Sequence, residues 1–499
     1  GGIMKYGSVF LIIAGILFPS ILGAAGISQA VYSEDQDSPL AALDYILSPQ
    51  DVWLNPYLAQ ADYDYSLPRS GPFNVIPLTD IRDSTGYLMI GLKGKKENFA
   101  ALPPMNLSFV IDTSVYMEEE DKLEWVKESF RAYMELVRDK DIISVVTFGS
   151  QVELLVPPSL IQSQADRDQF MELIESMEAG GAADVYQGML VGYAEVEANY
   201  EGDYLNRVIL LSGGRDNSGY PVTEFLKANV FYQKQGIDIS TLALGMESDV
   251  TLMADIAATG GGAFRFIPDF EMMGQAFGSE LDRLVVPAVW QLDLELTLAP
   301  GVRLREAWGY HYGLQGDLLR FKLGTLHNGE SKTLVALVDL QNRVSPANAA
   351  LGSFSLVYTD THGRAWRTGS TPITLSSAAL RNRRAVTDPR VREAEGAITL
   401  GKSLMDVGNR AVAIRQSLPN YGIRRNVYYD EVFYEPSGLA VETRIVAELR
   451  NCLEIIQTTW DYLADISNNT DGGGFAKELQ ILENYEYIFN YIYGEYLSY

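Results

Sequence analysis

Between Asn106 and Val286, six short apolar runs alternate with helical patterns, and this alternation restricts the chain to very few folds. The runs are LSFVID at 107–112, IISVVTFG at 142–149, VELLVP at 152–157, RVILLSG at 207–213, DISTLALG at 238–245 and AFRFIP at 263–268. Most are near-continuous in Val, Ile and Leu, as expected of strands buried on both faces. Between them lie stretches of helical period, such as DKLEWVKESFRAYMELVRDK, which sets Leu123, Val126, Phe130 and Met134 on one face. Strands joined by helical crossovers build an α/β, doubly wound, mostly parallel sheet. The pair at 142–157 is too closely spaced for a crossover helix and is expected to form an antiparallel hairpin at the sheet edge.

The flanks differ. Residues 288–376 contain alternating runs, WQLDLELTLAP, LLRFKLGTL, KTLVALVDL and GSFSLVYTD, which predict an antiparallel β-sandwich. FNVIPL and GYLMIGLKG, between Phe73 and Leu92, share that character, so they are expected to complete the same sandwich with the α/β domain inserted into it. From Asp388 onward the period is helical, and the tail places Leu482, Tyr485, Phe489 and Ile492 on one stripe, read as core packing. The expected organisation is an export signal at 1–30, a linker with short ordered pieces at 31–72, sandwich strands at 73–104, the α/β domain at 105–286, the rest of the sandwich at 287–377 and a helical region at 378–499.

The signal is read from Lys5 followed by VFLIIAGILFPSILGAAG, a positive start, an apolar centre and a small-residue end. Cleavage is expected after Ala25 or Ala30, placing the mature chain in the periplasm or outside the cell; an uncleaved anchor is the alternative, since about 18 apolar residues is the short limit for spanning. Lys and Arg number 39 against 65 Asp and Glu, a formal net charge of -26. So acidic a surface repels nucleic acid and anionic lipid, which leaves proteins as the expected partners. A single cysteine, Cys452, excludes an internal disulfide and a Cys-based zinc cage; it falls in a helical pattern and is read as an inert core thiol.

In an open α/β sheet, ligands sit beyond the carboxyl ends of the strands. Three loops converge there, in LPPMNLSFVIDTSVYM, EAGGAADVYQGM and VILLSGGRDNSG. Taken in order, these segments resemble the three signature segments of von Willebrand factor type A domains, in particular of secreted bacterial proteins that carry the domain between β and helical regions. The resemblance covers roughly residues 73–420. It implies a Rossmann-like fold and a metal-ion-dependent adhesion site. In that site Asp-x-Ser-x-Ser, a Thr after the second loop's glycines and an Asp before a Gly hold Mg²⁺, which captures a partner carboxylate.

Carried over residue by residue, the resemblance keeps Asp112 and Ser114. Tyr116 stands at the third position of the first loop, Ala183 where the Thr is expected and Gly213 where the Asp is expected. A divalent ion needs about six oxygens, which one carboxylate and one hydroxyl do not supply. Asp184 and Asp216 lie in the right loops as displaced substitutes. The expectation is a vestigial, metal-free site, in which Asp112 and Ser114 accept backbone N–H groups at a turn before a helix starting near Glu119. Restoring Tyr116→Ser, Ala183→Thr and Gly213→Asp is expected to create Mg²⁺ binding.

Enzymatic signals are weaker. His311, His327 and His362 fall in the sandwich region, read as surface or hairpin residues, and no nucleophile elbow, phosphate loop or dinucleotide fingerprint is present. ATGGGAF at 258–264 precedes a strand instead of opening a helix and reads as a turn. The expected function is therefore non-enzymatic protein binding or scaffolding, independent of metal and with no cofactor. A Mg²⁺-dependent adhesion module using Asp112, Ser114, Asp184 and Asp216 is the first alternative, and a cell-envelope hydrolase with an unrecognised site the second.

Overall fold

The computed structural model describes residues 54–96, 102–267, 286–340, 350–374, 388–416, 439–468 and 475–497, save 62, 83, 150, 246, 247, 316, 361 and 362, together with Leu43, Ile46, Val52, Met273 and residues 424, 425, 432 and 433. The expected signal and its cleavage point lie outside these residues, as does His362. No helix among the described residues is long and apolar enough to cross a membrane.

The described helices and strands begin with α1 (Leu54–Gln60) and the hairpin β1 (Phe73–Arg82) and β2 (Thr85–Gly94). It then enters the α/β domain: β3 (Met105–Asp112), α2 (Lys122–Met134), β4 (Ile142–Phe148), β5 (Val152–Leu160), α3 (Gln164–Glu175), α4 (Val185–Ala198), β6 (Leu205–Ser212), α5 (Val222–Gln233), β7 (Asp238–Leu244), α6 (Val250–Thr259) and β8 (Gly261–Ile267). These strands form one six-stranded sheet in the order β5-β4-β3-β6-β7-β8. All neighbours are parallel except β4 and β5, the expected edge hairpin. The two-residue period explains why the strands read as continuous apolar runs. Phe109, Ile111, Ile209 and Leu211 pack into one core, and Val110, Val208 and Leu210 into the core on the opposite face.

The sandwich follows as β9 (Pro287–Leu298), β10 (Val302–Trp308), β11 (Tyr312–Gln315), β12 (Leu318–His327), β13 (Ser331–Leu340), β14 (Ala350–Thr359), β15 (Ala365–Arg367) and β16 (Thr371–Thr374). One sheet runs β1-β2-β13-β10, and the other runs β11-β12-β9-β14-β15 with β16 also on β14. Ile90 of β2 lies opposite Leu334 of β13, and Leu88 opposite Ala336, so strands from before and after the α/β domain share a sheet. The α/β domain is an insertion between β2 and β9.

Helices α7 (Pro389–Gln416), α8 (Leu439–Asn468) and α9 (Ala476–Leu497) complete the fold. They do not stand apart from the sandwich. Met89, Trp308 and Val335 project from the outer face of the first sheet into the helical core, while Leu88, Ile90, Leu334 and Ala336 fill the space between the sheets. The stripe of Leu482, Tyr485, Phe489 and Ile492 is buried in the helical core, and so is Cys452, whose thiol burial pushes up to about 12. Within 31–72, read as a linker with short ordered pieces, the described residues from Leu43 to Tyr65 include a packed group. Leu43, Ile46, Val52, Leu54, Leu58, Tyr63 and Tyr65 are buried in that same core, and the Tyr65 hydroxyl lies 2.9 Å from Thr333 Oγ1. Prolines and acidic residues hid a packed segment.

The junction with the insert is fixed by the turn between β12 and β13. Gly94 N–H donates to Glu330 O, Gly329 N–H to Lys95 O, and Asn328 N–H to Val286 O, so one turn holds both crossovers. His327 belongs to this hairpin but is fully buried, not a surface residue; its Nδ1 lies 3.0 Å from Glu330 Oε2. His311 is exposed. Burial pushes the His327 imidazole down to about 4, with Glu330 opposing that shift. At the base of the sheet, Arg207 is buried and donates to Asp238 Oδ2 at 2.8 Å and Ser240 Oγ at 3.2 Å, joining β6 to β7.

Arg207→Met leaves the largely buried Asp238 carboxylate without its partner and is expected to cost about 3 kcal/mol in urea unfolding, most of it recovered when Asp238 is also made Leu. Neutral His327 contributes stability that is fully present above its usual value of 6.5 and is lost as pH falls toward 4. Unfolding free energy measured across that window should decline in the natural chain and decline less in His327→Gln.

Candidate functional site at the carboxyl ends of the sheet

β3 lies at the centre of the sheet, and Asp112 is its last residue. The apolar run ends in a carboxylate because three donors converge on it. Ser114 N–H reaches Oδ1 at 2.8 Å, while the Ser212 hydroxyl and Gly213 N–H reach Oδ2 at 2.9 and 3.1 Å. Asp112 thereby fastens its own loop to the end of β6. The same loop is tied to the second one, with Gly180 N–H donating to Thr113 O at 2.7 Å and Val115 N–H to Gly181 O at 3.0 Å.

Ser114 departs from expectation: its hydroxyl is buried with no hydrogen-bond partner and accepts no backbone N–H. The long helix also begins later than expected, at Lys122, after two short 3₁₀ turns at Val115–Met117 and Glu119–Asp121. Tyr116 lays its ring against Gly214, where a Cβ would fall 2.0 Å from a ring carbon. Ala183 is buried, and its N–H and C=O engage Asn217. Asp184 and Asp216 are brought together at the start of α4. Asp184 caps the helix by accepting from Gln187 N–H at 3.0 Å. Asp216 Oδ1 accepts from Val185 N–H and Ser218 N–H, both at 3.2 Å, and its Oδ2 from the Ser218 hydroxyl at 2.6 Å. Both carboxylates sit where a helix dipole favours negative charge, which accounts for them without an ion.

Sequence reasoning missed Lys122. It is 1% exposed, and its ammonium donates to Tyr116 O at 3.3 Å and Gly213 O at 3.4 Å. A signal was present: a lysine at the first position of a helix opposes the macrodipole and so calls for a specific partner. Both oxygens of Asp112 are committed to donors, an aromatic ring covers the third-loop glycine, and a cation already lies against Gly213. Among the described residues no cluster of three or more His, Cys, Asp or Glu could hold a metal. This donor set does not match what Mg²⁺ requires.

Burial raises the Asp112 carboxyl above its ordinary value of 3.8, against the hydrogen bonds from Ser114, Ser212 and Gly213. Asp112→Asn points an amide N–H at one of those donors and is expected to lower stability by about 1–3 kcal/mol. Because the folded value is raised, the natural chain should gain stability relative to Asp112→Asn as pH falls through that value toward 3.8. Ser114→Ala, by contrast, removes an unpartnered hydroxyl and should leave stability unchanged or raised; urea unfolding of the two variants at several pH values checks both.

The von Willebrand factor type A domain family model matches residues 107–215. The Escherichia coli (strain K12) protein YfbK is 22% identical over 215 residues, which is 43% of this chain and 37% of that protein. The Mus musculus calcium-activated chloride channel regulator 1 is 26% identical over 153 residues, 30% of this chain and 16% of the regulator. The matches thus span little more than a third of the first relative and a smaller share of the second. A solved structure, the von Willebrand factor type A protein from Catenulispora acidiphila, superposes with a TM-score of 0.50 at 14% identity, covering 85% of this chain and 91% of that one. The α/β domain inserted between β2 and β9 is a von Willebrand factor type A domain.

Proposed function

We propose that this chain is an exported, non-enzymatic binding or scaffold protein that grips a protein partner through the upper face of its type A domain, without a metal ion or other cofactor. The observation that carries this reading is the chemistry of that face. Val115 is 48% exposed, Tyr220 43% and Val222 46% on the loops of that face, and Tyr220 pairs with the Tyr186 ring at a centroid distance of 4.3 Å. Aromatic and apolar groups of this kind form the centres of protein interfaces, whereas a metal-dependent face is built from short oxygen donors. Export rests on the apolar run after Lys5, and exclusion of nucleic acid on the net charge of -26.

The unpartnered Ser114 hydroxyl favours a second reading, a Mg²⁺-dependent adhesion module. A hydrolase gains no comparable support, because Asp112 is held by donors and by no second carboxylate. Capture from the native cell envelope separates the first two readings. The natural chain should retain its partner in EDTA, while Val115→Asp and Tyr220→Ala should each lose it. Retention that fails in EDTA and returns with Mg²⁺ would establish the adhesion module instead.

A further inference from the structure

The mismatch between this site and the one its domain type implies points to what occupies the ion's role. We propose that the Lys122 ammonium is a built-in cation that holds the loops following β3, β6 and β7 in one arrangement, so that no ion is needed. This rests on the metal-independent reading above. Lys122 is nearly fully buried, and among the described residues the carboxylate it pairs with, Glu119, is half exposed and 3.7 Å away. Its closer partners are backbone carbonyls of two of the loops, those of Tyr116 and Gly213. The side chain also crosses the end of β7, where a Cβ on Gly245 would lie 2.3 Å from Lys122 Cε and 2.9 Å from Nζ.

Gly213 links the two charges. Its N–H donates to the Asp112 carboxylate and its C=O accepts from the Lys122 ammonium. The residue that would supply a second metal carboxylate is thus a backbone bridge between a buried anion and a buried cation. A side chain there would meet Met117 Sδ at 2.5 Å and Lys122 Cδ at 3.3 Å. The ammonium carries its charge on a tether, so it cannot be removed by chelation. A divalent ion bound between these loops would lie near a fixed positive charge, which disfavours its binding at short range.

On this proposal, restoring the site is expected to have a different outcome. Tyr116→Ser, Ala183→Thr and Gly213→Asp together should still give no Mg²⁺-dependent rise in melting temperature, measured against NaCl of equal ionic strength. Adding Lys122→Gln to that triple variant should produce one. A triple variant that responds to Mg²⁺ with Lys122 in place overturns the proposal. Because Ala183 is buried and its replacement can impair folding, a second measurement uses Lys122→Gln alone in the otherwise natural chain. Amide hydrogen exchange should accelerate about tenfold or more in 113–117 and 213–216 and stay unchanged in β13. Unchanged exchange in those loops also overturns it. A Mg²⁺-induced melting shift in the natural chain that Asp112→Ala lacks would instead sink the metal-independent reading itself.

Discussion

The arrangement of the upper face depends on one carboxylate held by three donors. Asp112 ends the central strand of the six-stranded sheet, and its two oxygens draw together Ser114, Ser212 and Gly213 from two loops. Burying a charge is unfavourable unless its hydrogen-bonding capacity is met, and here it is met by groups whose positions fix how the loops leave β3 and β6. Tyr116 then rests on Gly214, and Lys122 reaches the far side of Gly213. The glycine pair at 213–214 leaves room for the ring and the ammonium, so losses that look like independent decay in the sequence are steric counterparts of one another in space.

A similar economy governs the flanking region. β2 and β13 are sandwich strands, yet residues on both of their faces are buried, because one face meets the opposing sheet and the other meets the helices and the 43–65 segment. Three layers share one central sheet. The Arg207–Asp238 pair sits at the end of the insert's own sheet opposite the proposed binding face.

Strand periodicity and helical crossovers made the α/β domain legible, along with the edge hairpin and the shared sandwich sheet, because each is dictated by local patterns of burial. The three signature segments also identified which loops form the upper face. What stayed hidden was non-local. The segment 31–72 is rich in proline and acidic residues, so its apolar positions show no period, although Leu43, Ile46, Val52, Leu54, Leu58, Tyr63 and Tyr65 pack in a core. Asp184 and Asp216 were placed in the right loops, but only geometry shows both turned to the start of α4. Lys122 was passed over because a basic residue near a helix start ordinarily points to solvent, and its opposition to the macrodipole signals a partner without saying which one.

The turn at 327–330 has a further consequence for the architecture. By bonding residues 94 and 95 on the way into the insert and Val286 on the way out, it brings the two ends of a domain of nearly two hundred residues to one place. For the sandwich, a folded domain with adjacent ends acts as a short rigid connection between β2 and β9, not as a long loose loop. The entropy of closing a loop grows only slowly with its length and is largely removed once the intervening chain is compact. Sandwich and insert are therefore joined where the chain crosses between them, and β12 also packs against β8 and α6 of the insert. Changes in the size or content of the inserted domain can accumulate without disturbing the register of the sheet that carries it.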